Sequence, residues 1–209
     1  MLYTEAQRQR AVAWAVSMTT NTSLAPRRYE RHLLENYQRG HLTLDEVLHL
    51  LDTSIYQLLY RSQAVGPMAE QHLQQLLEWS RAYNAQHRIT GLLLYSEGHF
   101  VQVLEGPQEE VRTLYARIQQ DVRHQRIVTI GEGPEPVRRF ADWSMGFGHV
   151  AATDIDVVLQ ATPIPFPSPD VQEEHIQALL QAFGVPLYSI PSTDSGAAIP
   201  AAPLSSDAP

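Results

Sequence analysis

ITGLLLYSEGHFVQVLEGP, residues 89–107, sets two apolar runs of strand length on either side of Ser-Glu-Gly. Runs this short, bounded by turn residues, read as two buried strands joined by a tight turn. Side chains alternate faces along a strand, so Phe100, Gln102 and Leu104 share one face while Val101 and Val103 share the other. Gln102 is the anomaly. A carboxamide in an interior strand costs roughly 1–3 kcal/mol unless its donors and acceptor find partners, and an apolar strand has few to spare.

Outward from this hairpin, strand and helix signals alternate. IYQLLYR (55–61) reads as a strand, GPMAEQHLQQLLEWSRAYNAQ (66–86) as a helix, and GPQEEVRTLYARIQQD (106–121) as a second helix. QRIVTIG (125–131) and FADWSMGF (140–147) are two shorter strand candidates. The resulting β-α-β-β-α-β order plus one strand is the split βαβ pattern of an α+β, ferredoxin-like domain. Such a sheet holds both helices on one face, with a groove between them. Pro67 and Pro107 stand where a helix can begin, because the first helical residue needs no amide hydrogen.

Residues 1–54 read as all helical, with Gly40 stopping the second helix and Thr43 three residues before Glu46 forming a capping box for a third. The expected organisation is therefore a helical extension over 1–54, the α+β domain over 55–150, and a linker and helix over 151–190. That helix is PDVQEEHIQALLQAFG (169–184), and the Ala/Ser/Pro-rich end, 191–209, reads as a disordered tail.

Composition narrows the function. The 209-residue chain, 44% hydrophobic and 18% charged, has the balance of a soluble globular protein with room for one domain and its extensions. Fifteen basic residues against 23 acidic ones give a net charge of −8, which argues against direct binding to nucleic acid or anionic lipid. No apolar run reaches the roughly 18–20 residues of a membrane span, and the start lacks a secretory pattern, so a cytoplasmic location is expected. With no cysteine, the chain offers no disulfide, thiolate nucleophile or zinc–thiolate site, and redox chemistry needs a borrowed cofactor.

The polar residues that interrupt apolar stripes are the candidates for a site. Leu73, Leu76 and Leu77 continue at helical spacing into Ser80 and Asn84. Val111, Leu114 and Ile118 mark the buried stripe of the second helix, whose C-terminal end carries Arg117 and Asp121. Tyr56, Leu58 and Tyr60 share a face of the first strand, and Trp143 and Met145 share a face if FADWSMGF is a strand. Taken alone, Tyr60 reads as a core tyrosine, Arg117 and Asp121 as a surface pair four apart, Trp143 and Met145 as packing, and Asn84 as a helix C-cap.

Taken together, LLYRS (58–62), WSRAYN (79–84), ITGLLLYSEGHFVQVLEGP (89–107), YARIQQDVRH (115–124) and RRFADWSMGF (138–147) resemble the BLUF domain, a flavin-holding blue-light sensor. The resemblance covers nearly all of residues 55–147. It implies a flavin ring between the two helices above the sheet, Tyr60 as electron and proton donor to the excited flavin, and Gln102 as the residue whose hydrogen bonds rearrange. It further implies that Asn84, Gln102 and neighbouring Ser80 meet the ring. Arg117 and Asp121 would lie near the ribityl and phosphate part, and Trp143 and Met145 would respond to the glutamine. FAD is the usual ligand, and pockets of this type also accept FMN or riboflavin. Tyr83 stands where His or Asn is often found, Arg88 replaces a common glycine, and His124 matches a frequent residue although it reads locally as a solvated helix-end histidine.

The expected function is that of a non-enzymatic photoreceptor that signals to a downstream protein of unknown identity, with homo-oligomerisation left open. A flavin-dependent redox enzyme is the first rival, although no dinucleotide glycine fingerprint is present. A ligand-free interaction module is the second. It draws on ENYQRGHLTLDEVLHLLD (35–52), which resembles small helical antitoxin-like segments.

Overall fold

The structure, a computed structural model, describes residues 3–149. The elements are α1 (Glu5–Thr19), α2 (Arg28–Arg39), α3 (Leu44–Asp52), β1 (Ile55–Ala64), α4 (Glu70–Gln86), β2 (Thr90–Ser96), β3 (His99–Gly106), α5 (Gln108–Gln120), β4 (His124–Glu135) and β5 (Gly146–His149). The helix expected at 169–184 and the tail at 191–209 lie outside the described residues.

The first three helices form a cap with its own small core of Tyr29, Leu33 and Val47, flanked by Tyr37, Leu42, Leu50 and Leu51. Capping boxes open α1 at Thr4 and α3 at Thr43, where the Glu46 carboxylate takes the Thr43 N–H at 2.7 Å. Gly40 ends α2 at φ 80°, a conformation glycine adopts without steric cost. A side chain there would also collide with the Arg8 guanidinium, 2.6 Å away, through which α1 lies against α2.

The sheet runs β4-β1-β3-β2-β5, antiparallel except for the parallel β2–β5 pair. Ser-Glu-Gly makes the β2–β3 turn as expected: Ser96 pairs with His99, and Glu97 and Gly98 take φ of 47° and 84°, the handedness that a two-residue hairpin loop needs. At Gly91 a Cβ would stand 2.1 Å from the Val103 carbonyl oxygen, so this close backbone approach admits glycine alone. Leu73 and Leu77 of α4 and Val111, Leu114 and Tyr115 of α5 share one core with Tyr56, Leu58, Tyr60, Leu93, Phe100 and Leu104. Both helices thus cover the same face of the sheet, as the ferredoxin-like pattern requires.

Three sequence expectations are corrected. Neither proline occupies the first helical position: Pro107 is the extended N-cap of α5, and Pro67 lies upstream of α4, whose ladder begins at the Ala69 carbonyl. β4 runs past Gly131 to Glu135 and includes Pro134, which an edge strand tolerates on the side facing away from its neighbour. FADWSMGF is not a single strand. The Trp143 N–H turns back to the Phe140 carbonyl at 3.0 Å, and only from Gly146 does the chain pair with β2. Trp143 and Met145 therefore sit on the connection before β5 and share no strand face.

Candidate functional site

β1 and β3 are neighbouring inner strands of the sheet, and their register sets Tyr60 directly across from Gln102. The Tyr60 hydroxyl donates to Gln102 Oε1, and Gln102 Nε2 donates to Met145 Sδ at 3.4 Å. All three side chains are buried, so the carboxamide that stood out in the sequence has one strong partner and one weak one. Burial pushes the Tyr60 phenol pKa up, with Tyr115 and Asp121 acting in the same direction. The Tyr115 ring leans on Tyr60 at 5.1 Å between centroids.

Asn84 is buried on the inner face of α4, with Ser80 half-buried one turn before it. Asn84 is not the C-cap; His87 is, and the Asn84 side chain reaches across to the connection before β5, where Nδ2 donates to the Ser144 carbonyl at 2.6 Å. Its Oδ1 is buried without a protein partner, and so is the Tyr83 hydroxyl. Buried polar atoms left unpaired are uncommon and mark positions where a ligand or water completes the set. Tyr83 lies between Trp79 (5.2 Å) and His87 (4.0 Å), with the Arg117 guanidinium 5.1 Å from its ring centre.

Between α4 and α5 a groove of about 900 Å³ opens, with Leu76, Trp79, Leu114, Arg117, Ile118 and Asp121 in its walls. Leu76, Leu114 and Ile118 also belong to or pack on the core cluster that contains Tyr60 and Met145, whereas Tyr60, Ser80, Asn84 and Gln102 are not themselves in the groove walls. Arg117 and Asp121 both reach the groove, but they do not pair with each other. Asp121 has left the helix as its extended C-cap, and its carboxylate accepts from the Arg123 guanidinium at 2.5–3.0 Å and from the Arg123 backbone N–H at 2.9 Å, bonds that depress its carboxyl pKa. The structure separates Trp143 from Met145: Met145 is buried on Gln102, whereas Trp143 is 38% exposed with its ring on Phe140.

His124 is a second departure from the local reading, since it opens β4 instead of ending a helix. Its Nδ1 lies 3.0 Å from Ser62 Oγ, its ring packs on Phe100, and burial holds its pKa below that of a free imidazole. Glu105 went unnoticed in the sequence although it is fully buried. Its carboxylate accepts from Gln57 Nε2 at 2.9 Å and from the Arg139 and Phe140 backbone N–H groups at 3.0 Å each, and these bonds oppose the rise in pKa that burial causes. Like Gln102, three residues before it on β3, Glu105 is a polar group in an apolar strand and has to find its partners inside the fold.

The molecule is a ferredoxin-like domain with an open groove between its two helices and a phenol–carboxamide pair buried on the inner strands beside it. Residues 55–146 match the family described as sensors of blue-light using FAD. The chain belongs to this BLUF family through that segment, and BLUF domains bind flavin.

The photoactivated adenylate cyclase subunit beta of Euglena longa is 41% identical over 95 residues, which is 45% of this chain and 11% of the subunit. The blue light- and temperature-regulated antirepressor BluF of Escherichia coli (strain K12) is 36% identical over 104 residues, 50% of this chain and 26% of that protein. This chain thus spans between a tenth and about a quarter of those relatives. The solved ground state of BlsA superposes with a TM-score of 0.51 at 26% identity, over 60% of this chain and 87% of that one. Residues 1–54 precede the matched segment. Among the described residues no helix is long and apolar enough to cross a membrane.

Proposed function

We propose that this chain is a blue-light photoreceptor in which Tyr60 and Gln102 form the light-driven switch and a second protein receives the signal. The observation that supports it most is the buried relay from the Tyr60 hydroxyl to Gln102 and on to Met145. The ligand is FAD, held non-covalently. Asn84, Ser80 and Gln102 serve its ring, and Arg117 and Asp121 its ribityl and phosphate end. The unpaired Asn84 Oδ1 and the groove between α4 and α5 suit such a ligand.

A bound flavin supplies the absorber of blue light and, once excited, an oxidant. Burial keeps Tyr60 protonated over the whole working pH range, so the phenol gives up an electron only as its proton moves along the existing bond toward Gln102 Oε1. Gln102 has a two-donor end and an acceptor end, and rotation or tautomerisation exchanges what it offers each neighbour. Its bond to Met145 Sδ is to a weak acceptor and breaks at little cost. Met145 is anchored through its own carbonyl, which accepts from Arg81 Nε at 3.1 Å, so a turn of the glutamine is felt by the connection before β5. No substrate is turned over in these steps, and the chain acts as a sensor without catalytic output of its own.

The test is the absorption spectrum of the purified protein before and after blue light. A flavin spectrum that shifts to the red and returns in darkness is expected. A protein without flavin, or one whose bands ignore light, would overturn the reading.

A further inference from the structure

Arg28 lies outside the segment that matches the BLUF family, in the first turn of α2, yet its Nη2 stands 2.7 Å from Glu135 Oε2 across 107 residues of sequence. Glu135 is the last residue of β4 and is buried. The same carboxylate oxygen lies 3.7 Å from Arg139 Nη2, with both side chains less than a tenth exposed. Gly133 lets α2 come this close, because a Cβ on it would meet Arg27 Cγ at 2.9 Å.

The pair stands at the start of the connection that carries Met145. The Arg139 N–H is held by the Glu105 carboxylate at 3.0 Å and the neighbouring Phe140 N–H at 3.0 Å. The Phe140 carbonyl in turn takes the Trp143 N–H, the Ser144 carbonyl takes Asn84, and Met145 Sδ takes Gln102. Two buried carboxylates thus fix one end of a segment, residues 136–145, whose other end rests on Gln102.

We infer that Arg28 is a positioning residue for the switch: through Glu135 and Arg139 the N-terminal helical cap favours the dark arrangement of the Met145 connection and is loosened when that arrangement changes. This rests on the photoreceptor reading. The physical reason is linkage. If the Arg28–Glu135–Arg139 contacts suit one arrangement of the connection better than the other, docking of the cap stabilises that arrangement, and a change of arrangement must weaken docking by the same factor. Breaking the contact should then favour the lit form relative to the dark one, and because the contact must be re-made as the connection returns, its loss should also slow that step.

The experiment uses the full-length, flavin-loaded protein. Arg28→Gln is expected to bind flavin and shift to the red as wild type does, but to recover about fivefold or more slowly, the low end of ordinary coupling between sites. Arg28→Lys, which keeps the charge, is expected to restore much of the wild-type rate. Glu135→Gln loses the contact to Arg139 as well as that to Arg28, so it should slow recovery at least as much, and adding Arg28→Gln to it should cost less than Arg28→Gln costs alone, because the Arg28–Glu135 contact is already gone. In wild type, amide hydrogen exchange over residues 28–39 should quicken under blue light.

Wild-type recovery in Arg28→Gln, fully additive slowing in the double variant, or exchange over 28–39 that ignores light would each overturn the inference. These outcomes differ from failure of the photoreceptor reading, in which wild type itself shows no red shift.

Discussion

Met145 is the weak link in the relay, and its weakness bears on how the glutamine can turn. A thioether accepts poorly, so Gln102 is held firmly at its oxygen, by Tyr60, and loosely at its nitrogen. Tyr60→Phe removes the donor and leaves Gln102 Oε1 buried and unmet, a loss of about 1–3 kcal/mol. Flavin should be retained while the red shift disappears, read by absorption under blue light. Gln102→Leu should likewise keep flavin and lose the shift. A normal photocycle in either variant would remove that residue from its assigned role. At His124 the sign of the pH effect follows from burial. The native imidazole gains its proton at a lower pH than the unfolded one, so as pH falls below about 6.5 the unfolded chain takes up a proton that the native state refuses. Stability therefore declines on that side until native His124 itself protonates. His124→Gln should flatten the decline, as measured by denaturant unfolding at several pH values. Gln102 was legible in the sequence because a carboxamide in an apolar strand violates a local rule. The partners of Asn84 and Met145 were not, because each bond depends on where a loop returns.

At the scale of elements, the hairpin was the most readable part. Two short apolar runs and the Ser-Glu-Gly between them determine β2, the turn and β3 with little help from the rest of the chain. The connection from β4 to β5 was the least readable. FADWSMGF has strand composition, but Glu105 captures two of its neighbouring amides and bends it into a turn, and such a tertiary contact overrides local propensity. The close packing of β2 on β3 gives an element-scale prediction. Gly91→Ala would drive a methyl group into the Val103 carbonyl and disturb the bond from the Gly91 N–H to the Trp143 carbonyl. A loss of more than about 2 kcal/mol is expected in thermal or denaturant unfolding, in the range of substitutions that force a backbone apart.

For the whole molecule, the groove between α4 and α5 couples ligand to stability. A flavin that binds only the folded protein should raise stability by about 2.7 kcal/mol at a hundredfold excess over its dissociation constant. Stripping the flavin should therefore lower the thermal midpoint, and an unchanged midpoint would count against a ligand seated in the core. The sheet order also has a mechanical consequence. Tyr60 and Gln102 lie on strands flanked on both sides, β1 by β4 and β3 by β2, whereas the helical cap rests on β4 and the Met145 connection leads into β5, the two outer strands. An outer strand can fray without unpairing the strands inside it, so loosening at either margin leaves Tyr60 opposite Gln102.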